Sequence, residues 1–164
     1  GLPYNDKLSV SEKITEQIGV IGEKLVISGY EKIDADSVVG YNHPGNQLAT
    51  LVGLNSASEA ASDAGKQVAM QVAAMAPVAV DKDSVSQEVV DQELKVAKEK
   101  FRLEGKPEAM LDEIAQGSLN KFFKENTLLN QIYVKDGKIS IKDFLAQNDK
   151  DLTVTAFERY TLNV

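Results

Sequence analysis

The stretch "VVGYNHPGNQLATLV", residues 38–52, decides the fold because it predicts two β-strands joined by a tight turn. Apolar, β-branched and aromatic residues stand on both sides of a His-Pro-Gly-Asn turn, a pattern that is typical of a β-hairpin. In the second strand Leu48, Thr50 and Val52 share one face, since successive side chains of a strand point to opposite faces. We therefore expect a sheet that other elements cover on at least one face.

His43 is the only histidine of the chain, and it lies at the predicted tip of this hairpin beside Pro44 and Gly45. The residues next to it are not of the types that would make it an evident catalytic base. An exposed neutral imidazole can both donate and accept a hydrogen bond, and the Pro-Gly pair fixes the turn that presents it. The histidine is therefore a candidate for contact with a partner, and the alternative is an ordinary solvated loop residue.

The region before the hairpin predicts one helix and one further strand. Residues 9–19, "SVSEKITEQIG", predict a short helix with Ser9 or Ser11 as N-cap and an end at Gly19. Residues 25–33, "LVISGYEKI", have the β-branched and aromatic composition of a strand.

Residues 57–77, "ASEAASDAGKQVAMQVAAMAP", predict an amphipathic helix that Pro77 ends. Its apolar positions step by three or four residues and are Ala61, Ala64, Val68, Val72 and Met75. We expect this stripe to pack on the sheet.

Residues 84–126 predict a hairpin of two helices. Gly105 breaks the first helix, and Pro107 lies in the first turn of the second, where its missing N–H costs nothing. The apolar positions of the first helix have coiled-coil spacing and are Val90, Leu94, Ala97 and Phe101. Two helices alone cannot bury both apolar stripes. The hairpin must therefore pack against the rest of the chain or against another protein.

The whole pattern predicts an α+β fold, in which an antiparallel sheet packs with helices and an antiparallel helical hairpin protrudes. The tail predicts a short strand, an Asp-Gly turn, a helix around residues 141–146 and a long final strand that shares the sheet. Four segments are expected: 2–23 as the end of an N-terminal core half, 24–83 as a first α+β lobe, 84–126 as the helical hairpin, and 127–164 as a strand-helix-strand completing the sheet.

The composition of the chain excludes several classes of function. With no cysteine and one histidine, thiolate catalysis, zinc sites built on sulfur and multi-histidine metal sites are excluded. The formal net charge of −7 disfavours direct nucleic-acid binding, which depends on clustered Lys and Arg. No apolar run approaches the roughly 20 residues needed to span a bilayer. We expect a cytoplasmic protein with no membrane contact.

Catalytic motifs are absent from the sequence. It contains no phosphate-binding loop, no dinucleotide-binding glycine pattern and no nucleophile elbow. Acidic pairs such as Asp34 and Asp36 lie in polar loops, where solvated carboxylates are expected. We therefore expect no enzyme activity, no cofactor and no metal.

Several motifs together resemble a known family. They are "VIGEK", "VGYNHPGNQLATLV", "KQVAMQVAAMAP" with its specific end "MQVAAMAP", Gly-Lys-Pro at residues 105–107, "LLNQ" and the final "FERYTL". In this order and spacing the chain, from about residue 2 to its end, resembles the C-terminal part of translation elongation factor Ts. The resemblance implies a guanine-nucleotide exchange factor, which binds elongation factor Tu and promotes release of GDP.

The resemblance also implies which residues contact that partner. Ile21 and Gly22 of "VIGEK" and His43 of "YNHPGN" correspond to contacts with the GTP-binding domain of elongation factor Tu. Val134 and Lys135 fall where the family touches the third domain of the partner. For Ile21 the alternative is ordinary core packing ahead of a strand.

Two features of the family are missing from this sequence: the N-terminal helical module and the Thr-Asp-Phe-Val segment, whose Phe is inserted beside the partner's magnesium site. We therefore expect the chain to supply docking and dimerisation, with self-association into a homodimer through the helical hairpin. The alternative is a purely structural dimerisation module that binds no partner on its own.

Overall fold

The computed structural model describes residues 2–162, which contain five α-helices and one three-stranded sheet. The helices are α1 (Val10–Ile21), α2 (Glu59–Met75), α3 (Gln87–Leu103), α4 (Leu111–Asn126) and α5 (Ile141–Asn148). The strands are β1 (Ser37–Asn42), β2 (Leu48–Leu54) and β3 (Val154–Thr161). The α+β class is confirmed. The chain divides after Lys32 into a smaller and a larger compact unit, while the finer four-segment division stays a prediction.

The smaller unit is built on α1, whose N-terminus carries a capping box. The Ser9 hydroxyl accepts from the Glu12 N–H at 3.2 Å, and the Glu12 carboxylate accepts from the Ser9 N–H at 2.8 Å. These hydrogen bonds to Ser9, above all the one from its backbone, hold the pKa of Glu12 below its usual value. The helix runs past the expected end at Gly19 and stops at Gly22, whose φ of 77° is left-handed.

The strand expected at residues 25–33 does not form. Those residues form neither helix nor strand, and no described strand pairs with them. β-Branched composition makes a segment suitable for a sheet, yet a strand needs a neighbour to complete its ladder of hydrogen bonds. Four large apolar side chains of the segment are exposed: Leu25, Val26, Ile27 and Tyr30.

The sheet of the larger unit has the order β1-β2-β3, and both pairs are antiparallel. Strands β1 and β2 form the predicted hairpin. Strand β3 pairs with β2 from Leu48 opposite Thr161 to Leu54 opposite Val154. The expectation that distant strands share one sheet is therefore confirmed.

Helix α2 covers one face of this sheet. Its residues Ala61, Val68 and Val72 are fully buried beside Val52 of β2, and the Thr50 hydroxyl donates to the Ala69 carbonyl at 2.9 Å. The amphipathic prediction is confirmed for this stripe. It is wrong for Met75, which is 45% exposed because it is the last residue of the helix, beyond the buried stripe.

The segment before α5 is a loop rather than the predicted short strand. A single bridge joins Ile132 to Ser140, and the Tyr133 N–H donates to the Ile139 carbonyl at 2.8 Å. The chain reverses between them at the expected Asp-Gly turn, where Gly137 has a φ of 75°. The two arms of the loop are too short to extend this pairing into a ladder.

Helices α3 and α4 pack against each other, and α3 buries only Ala97. Arg102 ties the tip together, since its guanidinium donates to Glu108 at 2.7 Å and to Glu99 at 2.7 Å. The hydrogen bond from Arg102 lowers the pKa of Glu108. Helix α4 begins at Leu111, after a short 3-10 turn that follows Pro107.

Replacement of Gly65 by alanine tests the close packing of α2 on the sheet. An added Cβ would lie 2.7 Å from a methyl of Leu54 and 2.9 Å from one of Val39. We expect Gly65→Ala to lower the free energy of unfolding by about 1–3 kcal/mol through overpacking. Urea denaturation followed by circular dichroism measures this change.

Gly117→Ala is the matched control, because Gly117 lies inside α4 and nothing stands within 4 Å of its added Cβ. Alanine there should raise the free energy of unfolding by up to about 1 kcal/mol through helix propensity. A stabilising Gly65→Ala would contradict the close approach of α2 to the sheet.

Candidate functional site

His43 is exposed at the turn between β1 and β2, as the sequence predicts. Its N–H donates to the Leu48 carbonyl at 2.8 Å, and its carbonyl accepts from the Asn46 N–H at 3.0 Å. Gly45 and Asn46 both have positive φ, which closes the turn. The backbone of the histidine is therefore held on both sides.

The imidazole of His43 is oriented by Tyr41. The Tyr41 hydroxyl lies 2.8 Å from Nδ1 of His43, and the two rings meet edge to face with centroids 5.9 Å apart. Among the described residues no side chain bonds Nε2, which leaves that nitrogen available to a partner. Tyr41 was not among the predicted site residues, although its place two positions before the histidine puts it on the same strand face.

A shallow hollow of about 320 Å³ lies beside the imidazole. It is lined by Tyr41, His43, Leu48, Met70, Ala73 and Ala74. The last three belong to the C-terminal part of α2, so the hollow joins the hairpin to that helix. Its walls are largely apolar, and it is open enough to receive an apolar side chain.

Val134 and Lys135 lie on the loop that precedes α5, and both are exposed. Side chains of α2 hold the backbone of this loop: the Val134 N–H donates to Oε1 of Gln71 at 3.0 Å. Nζ of Lys135 donates to Oε1 of Gln67 at 2.5 Å. The loop therefore presents an apolar side chain, 50% exposed, from a fixed position.

Gln71 is fully buried, and its amide joins three segments of the chain. Its Nε2 donates to the Ile132 carbonyl at 3.1 Å and to Oε1 of Gln131 at 3.2 Å. Gln131 in turn donates to the Glu125 carbonyl at 3.0 Å, near the end of α4. A buried amide must find such partners, because leaving it unpaired is costly. The signal for this network was available in the sequence, since Gln71 stands in an otherwise apolar stretch.

Tyr133 anchors the same loop to the core. Its ring is buried against Phe144 of α5, with centroids 4.4 Å apart, and its hydroxyl donates to Gln67 at 3.3 Å. Burial, followed by the negative charge of Asp136, raises the pKa of the Tyr133 phenol. The phenol therefore keeps its proton over the neutral range and remains a hydrogen-bond donor.

Helix α2 supports both candidate regions of the larger unit. Met70 and Ala74 border the hollow beside His43, while Gln67 and Gln71 hold the loop of Val134. Residues four apart lie on one side of a helix, so these two pairs form adjacent stripes along α2. The structure thereby brings His43, Val134 and Lys135 onto one supporting element.

Ile21 and Gly22 belong to the smaller unit, at the end of α1. Ile21 is 52% exposed, so core packing does not explain it within that unit. Gly22 caps the helix, and its N–H donates to the Ile18 carbonyl at 2.9 Å. An added Cβ at Gly22 would meet nothing within 4 Å, but its positive φ favours glycine.

Within residues 2–162 no group of His, Asp or Glu side chains is arranged to hold a metal ion. None of the helices in that range is long and apolar enough to cross a membrane. The five candidate residues are exposed, two of them at the end of a helix of the smaller unit and three on loops of the larger unit.

Comparison with known proteins identifies the family. The family model described as Elongation factor TS matches residues 1–164. The chain is 49% identical over 162 residues to elongation factor Ts of Porphyromonas gingivalis, covering 99% of this chain and 58% of that protein. It is 52% identical over 155 residues to that of Amoebophilus asiaticus, covering 94% and 56%. For Chlorobium phaeobacteroides the identity is 37% over 164 residues, covering 96% and 57%.

The chain belongs to the elongation factor Ts family, as its motifs predicted. It spans a little under three fifths of the length of these relatives.

Removal of the Gln71 amide tests whether α2 holds the Val134 loop. Gln71→Leu leaves the Val134 N–H and the Ile132 carbonyl without their partner. We expect the free energy of unfolding to fall by about 1–3 kcal/mol, the cost of unsatisfied buried groups. Urea denaturation measures the loss, and hydrogen exchange should show faster exchange of the Val134 amide.

Gln67→Leu is the control, because its bonds to Lys135 and Tyr133 lie nearer the surface. It should cost less than about 1 kcal/mol and leave exchange at Val134 unchanged. Equal effects of the two variants would show that the buried network does not position the loop.

Proposed function

We propose that this chain is the part of a guanine-nucleotide exchange factor that docks on elongation factor Tu, in the cytoplasm. Family membership is the observation that carries the proposal. The geometry supports it, because the five residues implied by the resemblance are exposed and held by ordered supports. They are Ile21, Gly22, His43, Val134 and Lys135.

His43 and the hollow beside it form the proposed contact with the GTP-binding domain of the partner. Nδ1 of the ring is hydrogen-bonded to the Tyr41 hydroxyl, and Nε2 would form a hydrogen bond with a polar group of that domain. An apolar side chain of the partner would enter the hollow between the ring and Met70. A polar contact beside an apolar anchor is typical of the centre of a protein interface. Ile21 and Gly22 would supply a second, largely apolar contact with the same domain.

Val134 and Lys135 form the proposed contact with the third domain of elongation factor Tu. The exposed Val134 side chain offers apolar surface, and the ammonium of Lys135 keeps donors beyond the one used for Gln67. Contacts with two domains of one partner would restrain their relative orientation.

Exchange by such a surface requires no chemical step from the factor. A factor that binds the nucleotide-free partner more tightly than the GDP-bound partner lowers GDP affinity by the same ratio. Exposed, pre-organised contacts are suited to this, since the binding free energy is not spent on ordering loops. We propose docking for these exposed residues and GDP release for the factor as a whole.

Replacement of His43 tests the docking contact. We expect His43→Ala to weaken binding to nucleotide-free elongation factor Tu by about tenfold or more, the effect of losing an interface hot spot. Isothermal titration calorimetry measures the affinity, and a thermal melt should be unchanged because the ring is exposed. Lys142→Ala, on the exposed side of α5, is the control and should bind as the parent chain does.

Release of a fluorescent GDP analogue from elongation factor Tu separates docking from exchange. The chain alone should bind without accelerating release, and release should rise when the N-terminal portion of a relative is supplied in trans. A His43→Ala variant that binds like the parent chain would contradict the proposed site.

The second candidate function is a structural module that self-associates and binds no partner. Its supporting observation is the helical hairpin, in which α3 buries only Ala97. A chain that forms dimers but fails to bind elongation factor Tu in either nucleotide state would favour this function over docking.

A further inference from the structure

Tyr41 lies on the face of the sheet that α2 covers, and its side chain is held in place there. It pairs with Thr50 of β2, whose hydroxyl donates to the Ala69 carbonyl of α2. The Tyr41 ring is half-buried and packs against the hydrophobic core of the larger unit. The phenol therefore has a fixed position near the end of β1, two residues before His43.

The Tyr41 hydroxyl has one hydrogen-bond partner among residues 2–162, and this partner is Nδ1 of His43, at 2.8 Å. A phenolic oxygen is a weak acceptor because its lone pairs are delocalised into the ring, whereas an unprotonated imidazole nitrogen is a strong acceptor. The phenol therefore donates and Nδ1 accepts. A neutral imidazole that accepts at one nitrogen carries its proton on the other, so this hydrogen bond places the proton on Nε2.

The turn that carries His43 is ordered on its other side as well. The Asn42 amide donates from Nδ2 to Oδ1 of Asn46 at 2.7 Å, which joins the two ends of the turn. The phenol fixes the ring from within the sheet, and the turn fixes the backbone to which the ring is attached. The direction of the Nε2–H is therefore set before a partner binds.

We propose that Tyr41 is a positioning residue of the docking site: it fixes the Nε2-protonated tautomer of His43, and the partner group that His43 binds is a hydrogen-bond acceptor, a carbonyl or carboxylate oxygen. This inference rests on the docking proposed above and names the chemistry of one of its contacts. A partner group that can only donate, such as a backbone N–H or an ammonium, is disfavoured because it would face a second donor.

The hollow beside the imidazole makes this hydrogen bond important. Its lining residues other than Tyr41 and His43 have side chains that donate no hydrogen bond, and they are Leu48, Met70, Ala73 and Ala74. A partner oxygen that enters the hollow loses water, and the Nε2–H replaces one of its lost hydrogen bonds.

Few titratable groups surround the imidazole. Among the described residues that line the hollow, Tyr41 is the only titratable group besides His43. Arg159 of β3 also reaches this end of α2, where its Nε donates to the Ala73 carbonyl at 3.4 Å. An arginine keeps its charge at every pH used below, so a change in binding that depends on His43 reports the imidazole itself.

Nitrogen NMR of the imidazole tests the tautomer, because His43 is the only histidine of the chain and its ring signals cannot be confused with others. The isotopically labelled chain is measured at about pH 8, where histidine side chains are ordinarily neutral. Nε2 should have the chemical shift of a protonated ring nitrogen, and Nδ1 that of an unprotonated one. The opposite pattern, with the proton on Nδ1, would overturn the inference.

Tyr41→Phe removes the hydroxyl and keeps the ring. We expect the His43 signals to move toward those of the tautomer mixture in free histidine. The affinity for nucleotide-free elongation factor Tu should fall by about two- to tenfold, the effect of one neutral hydrogen bond. Unchanged ring signals would overturn the role of Tyr41, and shifted signals with an unchanged affinity would show that the tautomer does not control docking.

Tyr133→Phe is the matched control, because it removes a phenol hydroxyl that is bonded to Gln67 and not to His43. It should leave the His43 ring signals unchanged. Movement of those signals by the same amount as in Tyr41→Phe would show that the ring responds to a general change of the fold, which would contradict positioning by Tyr41.

The pH dependence of binding tests the chemistry of the partner group. Between about pH 8 and about pH 5.5 a histidine ordinarily gains a proton and can then only donate. An acceptor keeps its hydrogen bond: the affinity should change by less than about twofold for a carbonyl and rise by about three- to tenfold for a carboxylate. A donor on the partner would lose its acceptor, and a fall of about threefold or more would overturn the inference.

His43→Gln is the control for this measurement, because glutamine does not titrate and shows how much of a pH effect comes from other groups, those of elongation factor Tu included. The change for the parent chain is taken relative to this variant. A parent chain that binds at neither pH would refute the docking and the inference with it. A parent chain that binds at about pH 8 and loses affinity on acidification only when His43 is present would refute the acceptor and leave the docking in place.

Discussion

The close packing of α2 on the sheet is the constraint on which the larger unit depends. Gly65 leaves no room for a side chain between the helix and Leu54 and Val39. The Thr50 hydroxyl is bonded to the Ala69 carbonyl, so a polar group of the inner sheet face is satisfied by the helix itself. A helix that fits this closely cannot slide along the sheet, because well-packed interiors leave few voids to absorb a shift.

Helix α2 also positions the residues of the candidate docking surface. One side of α2 borders the hollow beside His43, and the adjacent side supplies Gln67 and Gln71, which hold the loop of Val134 and Lys135. Two segments that are distant in sequence, the hairpin at His43 and the loop of Val134 and Lys135, are thus positioned by one helix. This order would serve the proposed docking, since a factor that acts by differential binding needs contacts that keep one geometry while its partner changes.

The helical hairpin shows how a single helix can carry two apolar sides. Ala97 and its neighbours on the same side meet α4, while Val96 and Leu103 remain exposed. Arg102 fixes the tip through Glu99 and Glu108, so the exposed side is presented by an ordered hairpin. Ion pairs at such exposed positions add little stability, and their effect is mainly on orientation.

Local sequence patterns were sufficient to predict much of this structure. The hairpin around His43, the helices α1 to α5 and the motifs of the elongation factor Ts family follow from turn residues, caps and apolar spacing, all of which act within a few residues. Two predicted strands, at residues 25–33 and before α5, were wrong because composition alone does not supply a pairing neighbour. The contact of Tyr41 with His43 is local, between residues two apart, whereas the anchoring of Val134 by Gln71, and of Lys135 by Gln67, was decided by tertiary structure. Such contacts join segments that only the packed α2 and sheet bring within hydrogen-bond distance, and short-range patterns carry no information about that distance.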